Sequence, residues 1–156
     1  MCLFLLCKEY NIENYIINND DSIDVFGDVR INRHNIDKMP IKFRNVYGDF
    51  CCYSNKLTTL ENCPVLVEGD FVCSWNNLTN LKGSPSIVYG DFYCHNNKLT
   101  SIKSGPKKLS GRFYTNKLNI KDIIYEKVHT ISSIKNYKQY LNNIHRNKII
   151  NKILKK

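Results

Sequence analysis

The chain has 156 residues, 42% of them hydrophobic, and a formal net charge of +9, which is material for one core and too little chain for a second domain of ordinary size. The charge is unevenly divided: residues 1–97 hold 8 Lys/Arg against 12 Asp/Glu, and residues 98–156 hold 15 against 2. Any affinity for phosphate or anionic surfaces therefore belongs to the C-terminal end, and seven cysteines, an odd number without a C-x-x-C pair, argue against a disulfide framework or a zinc site.

Residues 1–24, rich in Asn, Ile and Tyr, are expected to form an N-terminal cap. The apolar run Cys2–Cys7 is too short to span a bilayer and lacks the basic flank and small-residue cleavage site of a secretory signal. A cytoplasmic, non-secreted product without a transmembrane segment is expected. Asn18-x-Asp20-x-Ser22-x-Asp24 spaces oxygen ligands somewhat as a calcium loop does, but no glycine supplies the bend and no glutamate closes the loop. No metal and no cofactor is expected.

From Val25 the chain becomes periodic. Gly27, Gly48, Gly69, Gly90 and Gly111 recur every 21 residues, and self-similarity at such a period marks a solenoid, in which no unit buries its apolar face without its neighbours. The best copies are Val46-Tyr47-Gly48-Asp49-Phe50-Cys51-Cys52 and the runs beginning at Val67 and Val88. Val, Gly, Phe and Cys alternate, which predicts one short strand per coil with those four on the inner side. Asn55, Asn76 and Asn97 follow, then Leu57, Leu78 and Leu99, then Leu60, Leu81 and Ile102, and Pro64, Pro85 and Pro106 close the units. No coil has room for a helix. The expected fold is a stack over residues 25–118 of about five coils, starting near 25, 46, 67, 88 and 109, with a parallel β-sheet on one face and strands roughly 4.8 Å apart. Cys52, Cys73 and Cys94 follow the period and read as small core hydrophobes, while Cys51, at an odd offset, reads as an accessible thiol.

The run Phe50-x-Cys52-x-x-Asn55-x-Leu57-x-x-Leu60, repeated as Phe71/Cys73/Asn76/Leu78/Leu81 and Phe92/Cys94/Asn97/Leu99/Ile102, resembles the leucine-rich-repeat signature L-x-L-x-x-N-x-L. It is most similar to the compact, helix-poor repeats of giant DNA viruses, tailed phages and bacterial effectors. The resemblance implies a non-catalytic binding module of viral type, acting in the host cytoplasm. Two departures stand out: the Val-x-Gly-Asp opening is one residue out of register with the family's usual leucine, and His34 stands where the first coil would carry Asn.

Odd offsets and the turn after each strand define the candidate binding surface, an exposed sheet face made of Tyr47, Asp49, Tyr53, Asp70, Trp75, Tyr89, Asp91, Tyr93 and His95. Exposed aromatics on a solenoid anchor protein partners, although they are also ordinary strand formers. The stacked aspartates repel unless each carboxylate accepts backbone or hydroxyl hydrogen bonds, or a cation or basic partner lies across them.

Beyond the repeats, residues 119–156 read as a basic helical C-terminal cap, with Ile131, Ile134, Tyr137, Leu141 and Ile144 at helical spacing. Its Lys148, Lys152, Lys155 and Lys156 carry the alternative function, a nucleic-acid-associated basic protein. A/T-rich coding offers a plainer source for so many lysines, since Asn, Ile and Lys make up 57 of the 156 residues. Neither a phosphate-binding loop nor a nucleophile elbow nor a zincin motif occurs, and no enzyme is expected. Function is expected to be protein–protein interaction, with nucleic-acid association as the alternative.

Overall fold

A computed structural model describes residues 2–102 and 104–116 of the chain; the expected helical cap over 119–156 lies outside them. The fold is a β-solenoid of stacked parallel coils of about 21 residues. Helix α1 (Leu3–Glu9) comes first, followed by the strands β1 (Tyr15–Ile17), β2 (Ile23–Val25), β3 (Val29–Arg30), β4 (Phe43–Val46), β5 (Phe50–Cys51), β6 (Leu66–Val67), β7 (Phe71–Val72), β8 (Ile87–Val88), β9 (Phe92–Tyr93), β10 (Lys108–Leu109) and β11 (Phe113–Tyr114).

The expectation of one strand per coil and one sheet is corrected: each coil carries two strands. They build a six-stranded sheet, β1-β2-β4-β6-β8-β10, and a five-stranded sheet, β11-β9-β7-β5-β3. The 21-residue register holds in both, with Val46 opposite Val67, Val67 opposite Val88, Phe50 opposite Phe71 and Phe71 opposite Phe92. Among the described residues only the capping hairpin β1–β2 is antiparallel, and β2, beginning at Ile23, straddles the boundary expected between cap and solenoid.

The break between the two strands falls at the Gly-Asp step. There the amides of Gly69, Gly90 and Gly111 each donate to the carbonyl of the glycine one coil earlier, at 2.9–3.1 Å. The amides of Asp49, Asp70, Asp91 and Arg112 each donate to Oδ1 of the preceding aspartate, at 2.7–2.9 Å. The chain thus turns a corner without leaving that coil's amides unpaired, a condition buried or half-buried backbone must meet.

Val46, Phe50 and Cys52 stay inside through the corner, as do their counterparts in the next two coils. Phe50, Phe71, Phe92 and Phe113 form one stacked column, with centroids 5.6, 5.1 and 5.0 Å apart. At its N-terminal end Val29 stands in the Phe position, and Phe43 packs edge-on against Phe50 at 5.1 Å.

A second ladder runs through the asparagines. Asn76 donates from Nδ2 to the carbonyls of Cys52, one coil back, and of Cys73 and Ser74 in its own coil, while its Oδ1 accepts the Leu57 amide. Asn97 repeats the pattern on Cys73, Cys94, His95 and Leu78, and Asn55 binds Ile31, Cys52, His34 and Ile36. The first coil has no coil behind it to bridge, which explains His34 at that position: its ring meets Tyr10, just past α1, edge-on at 4.9 Å.

All seven cysteines are free thiols, and Cys52, Cys73 and Cys94 are buried. Cys51 corrects its expectation. It is buried too, Arg30 Nη1 reaches its Sγ at 3.9 Å, and burial pushes its pKa up to about 11. Cys2 is the exposed thiol.

Candidate functional site

The nine residues expected on one exposed face lie instead on an outward band that wraps the corner. Tyr47 and Tyr89 directly follow the strands of the six-stranded sheet, Asp49, Asp70 and Asp91 stand at the corner, and Tyr93 lies on the five-stranded sheet. Tyr53, His95 and Trp75 come just after that second sheet. All are half-buried except Trp75, which is 59% exposed.

The aspartate column is first of all structural. Each carboxylate accepts the next coil's amide, so the repulsion of stacked like charges is offset by four charge-assisted bonds. At the ends the second oxygens are used as well: Asp28 Oδ2 receives Arg30 Nη2 at 3.0 Å, and Asp91 Oδ2 receives the Tyr93 hydroxyl at 3.0 Å.

The structure gathers one polar-aromatic cluster around Tyr93. Its ring stacks on Tyr114 at 4.5 Å with planes 3° apart, and meets His95 edge-on at 6.3 Å. His95 Nδ1 lies 3.1 Å from Ser74 Oγ. The Arg112 amide, then the Tyr93 hydroxyl, holds the Asp91 carboxyl below the usual range. In return the Asp91 carboxylate, with desolvation adding to it, pushes the Tyr93 phenol up to about 12.

Tyr114 and Arg112 were not singled out in the sequence, yet both stand one 21-residue step beyond Tyr93 and Asp91, and extending the columns by one step finds them. Tyr47 is stacked on Phe26, centroids 5.0 Å apart, and Arg33 lies 5.7 Å over the Tyr53 ring.

Trp75 occupies an unusual backbone position. Arg33, Ser54, Trp75 and Asn96 share one place in successive coils, and all have positive φ, 54–64°. That conformation suits Asn and is an outlier for a bulky residue. Strain of about 1–3 kcal/mol is therefore held at the most exposed aromatic of the band.

Ser74 and His95 form a serine–histidine pair beside the band, but Ser74 is buried, and among the described residues no carboxylate hydrogen-bonds the imidazole. Among the described residues no group of three His, Cys, Asp or Glu is arranged to hold a metal. Nor does any of their helices have the length and apolar character to cross a membrane.

No protein-family model, no curated protein and no solved structure matches this chain.

Proposed function

We propose that the chain is a non-catalytic repeat scaffold whose outward band binds a protein partner. The observation that carries this is Trp75: a large aromatic, 59% exposed, held at φ 57° in a turn where a sister coil places the far better suited Asn96. Strained residues gather at functional sites and tryptophan is enriched among binding anchors, which supports this reading of an exposed Trp at that position. The Asn-x-Leu column supports a leucine-rich-repeat-like module, of the viral type that its sequence resembles, working in the cytoplasm.

The test uses wild-type protein and Trp75→Asn as paired baits in lysate of cells that naturally express the chain, with and without nuclease. A protein retained by wild type, lost with Trp75→Asn and insensitive to nuclease supports the proposal. Equal retention of the same proteins by both baits overturns it.

A second function, nucleic-acid association, is favoured by the basic end of the solenoid. Lys98, Lys107, Lys108 and Arg112 are exposed there, and residues 92–116 contain no acidic residue. It leads to Lys148, Lys152, Lys155 and Lys156, which lie outside the described residues. Duplex binding with a log–log salt slope of about −0.9 per neutralised phosphate, flattened when those four lysines become Gln, supports it. Absence of salt-dependent binding removes it.

A further inference from the structure

One edge of the six-stranded sheet, strand β1, lies at the N-terminal cap. Among the described residues β1 pairs only with β2. Asn14 accepts the Phe26 amide and Asn18 donates to Ser22, each at 2.8 Å, so the alternate residues Tyr15 and Ile17 direct their N–H and C=O away from β2. The residues opposite them bear this out. Ile23 donates to Lys42, and Val25 accepts from Tyr47, both toward β4.

Short as it is, β1 carries neither a proline nor a charged side chain to blunt its edge. Ile17 is 51% exposed, and on α1 Phe4 and Leu5 are 62% and 53% exposed. Beside it opens a cavity of about 210 Å³ lined by Phe4, Cys7, Lys8, Ile12, Glu13 and Tyr15, together with Asn11. Since an apolar cavity of about 150 Å³ takes a benzene ring, this one has room for one aromatic side chain. Tyr15 and Ile17 share a face of β1, and a strand added beside β1 would put every second side chain on that same face, the one opposite Tyr15 next to the cavity.

Charge selects the occupant. Residues 2–24 contain Lys8 against Glu9, Glu13, Asp20, Asp21 and Asp24. Asp20 and Asp24 are paired with Lys42 and Arg44, while Glu9, Glu13 and Asp21 have no ion-pair partner among the described residues. A second copy of the same edge would meet like charge.

We infer that β1 is a β-augmentation site for an extended, basic peptide segment of a partner protein, with one aromatic side chain entering the cavity beside Tyr15. Backbone hydrogen bonds to Tyr15 and Ile17 give affinity, and the cavity with Glu13 gives selectivity. This site is independent of the Trp75 band.

The probe is a fluorescent heptapeptide, Lys-Val-Lys-Phe-Lys-Val-Lys, titrated into the full chain, with hydrogen exchange read residue by residue. Saturable binding with new protection at the Tyr15 and Ile17 amides is expected. Ile17→Pro removes one outward N–H and no β1–β2 bond, and should weaken binding at least about tenfold, roughly 1.4 kcal/mol. Should Ile17→Pro fail to fold, a peptide N-methylated at alternate amides tests the same bonds on wild-type protein and should not bind. Glu13→Lys should also weaken it, whereas Trp75→Asn should bind like wild type. No saturation by about 1 mM, protection appearing elsewhere, equal binding of the N-methylated peptide, or loss of binding in Trp75→Asn would each overturn the inference.

Discussion

The periodic glycines from Gly48 onward each lie against the aspartate of the coil before them. A Cβ on Gly69 would fall inside contact distance of Asp49 Oδ1 and 2.9 Å from the Gly48 carbonyl carbon. The backbone reason is therefore close approach rather than a left-handed φ, since of the five periodic glycines only Gly27 has a positive φ, 148°. Gly69→Ala should destabilise the fold by about 1–3 kcal/mol. In a double-mutant cycle with Asp49→Ala the combined loss should fall short of the sum, because removing the carboxylate relieves the side-chain part of the clash and leaves only the backbone part; strict additivity in urea titrations would mean the two columns do not touch. The Asp91–Tyr93 pair belongs to the same scale. A phenol whose folded pKa is raised contributes stability below its unfolded value of about 10, and that contribution is lost as pH climbs through about 12. The lowered Asp91 carboxyl has the opposite sign: its contribution is present above the ordinary carboxylate range and fades as pH falls through its depressed folded value. Following tyrosinate absorbance, Asp91→Asn should bring the highest-titrating phenol down toward 10; an unchanged titration would show that the hydrogen bond is not the cause.

At the level of elements, alternation was the part of the sequence that could be read. Val46, Phe50 and Cys52 point inward whether the segment between them is straight or bent, so the core was legible while the second sheet was not. The bend depends on contacts between coils, Asp49 onto the Asp70 amide for one, and period-two patterning carries no trace of them. Helix α1 escaped for a different reason: Leu3-Phe4-Leu5-Leu6 is apolar on every side, so the stripe of Leu3, Leu6, Cys7 and Tyr10 that packs on the core does not stand out from it. Cys51 misled because an odd offset marks the outer side of a strand but not what lies over it, here the Arg30 side chain. Of the candidate site, the column residues Asp91 and Tyr93 were found together, whereas the separate pairings of Tyr47 with Phe26 and Tyr53 with Arg33 depend on which neighbours the corner brings close. The asparagine ladder is the element-scale feature that was both legible and decisive. Asn76 is 8% exposed and satisfies three carbonyls and one amide, so Asn76→Ala should cost about 2–3 kcal/mol. Asn76→Asp should cost no less, for it keeps the acceptor to Leu57 and places a carboxylate against three carbonyl oxygens. A denaturation midpoint for Asn76→Asp near wild type would show that the donor side of the ladder carries little.

Over the whole molecule, a solenoid's coils contact only their neighbours, so stability passes along the stack from one unit to the next. The N-terminal cap is joined to that stack through Asp24, fully buried, which receives Arg44 at Nε (3.0 Å) and Nη2 (2.5 Å) and Asn45 Nδ2 at 3.0 Å. These contacts fasten β2 to β4 beside the register shift between Ile23 and Asp24. The guanidinium side chain is 44% exposed, so Arg44 left alone regains part of its hydration, and Asp24→Ala should sit at the low end for a broken buried pair, about 3 kcal/mol. The reverse lesion is worse in kind. Arg44→Ala leaves a carboxylate at 0% exposure without its guanidinium partner, and should cost at least as much. Because coupling runs between neighbours, neither loss should fall evenly on the chain. Hydrogen exchange should rise first in the Ile23, Val25 and Phe43 region, less at Phe50 to Cys52, and least at Phe92. Uniform loss of protection from β2 to β9 would mean instead that the stack unfolds as one indivisible unit and that the cap is no more than its first strand.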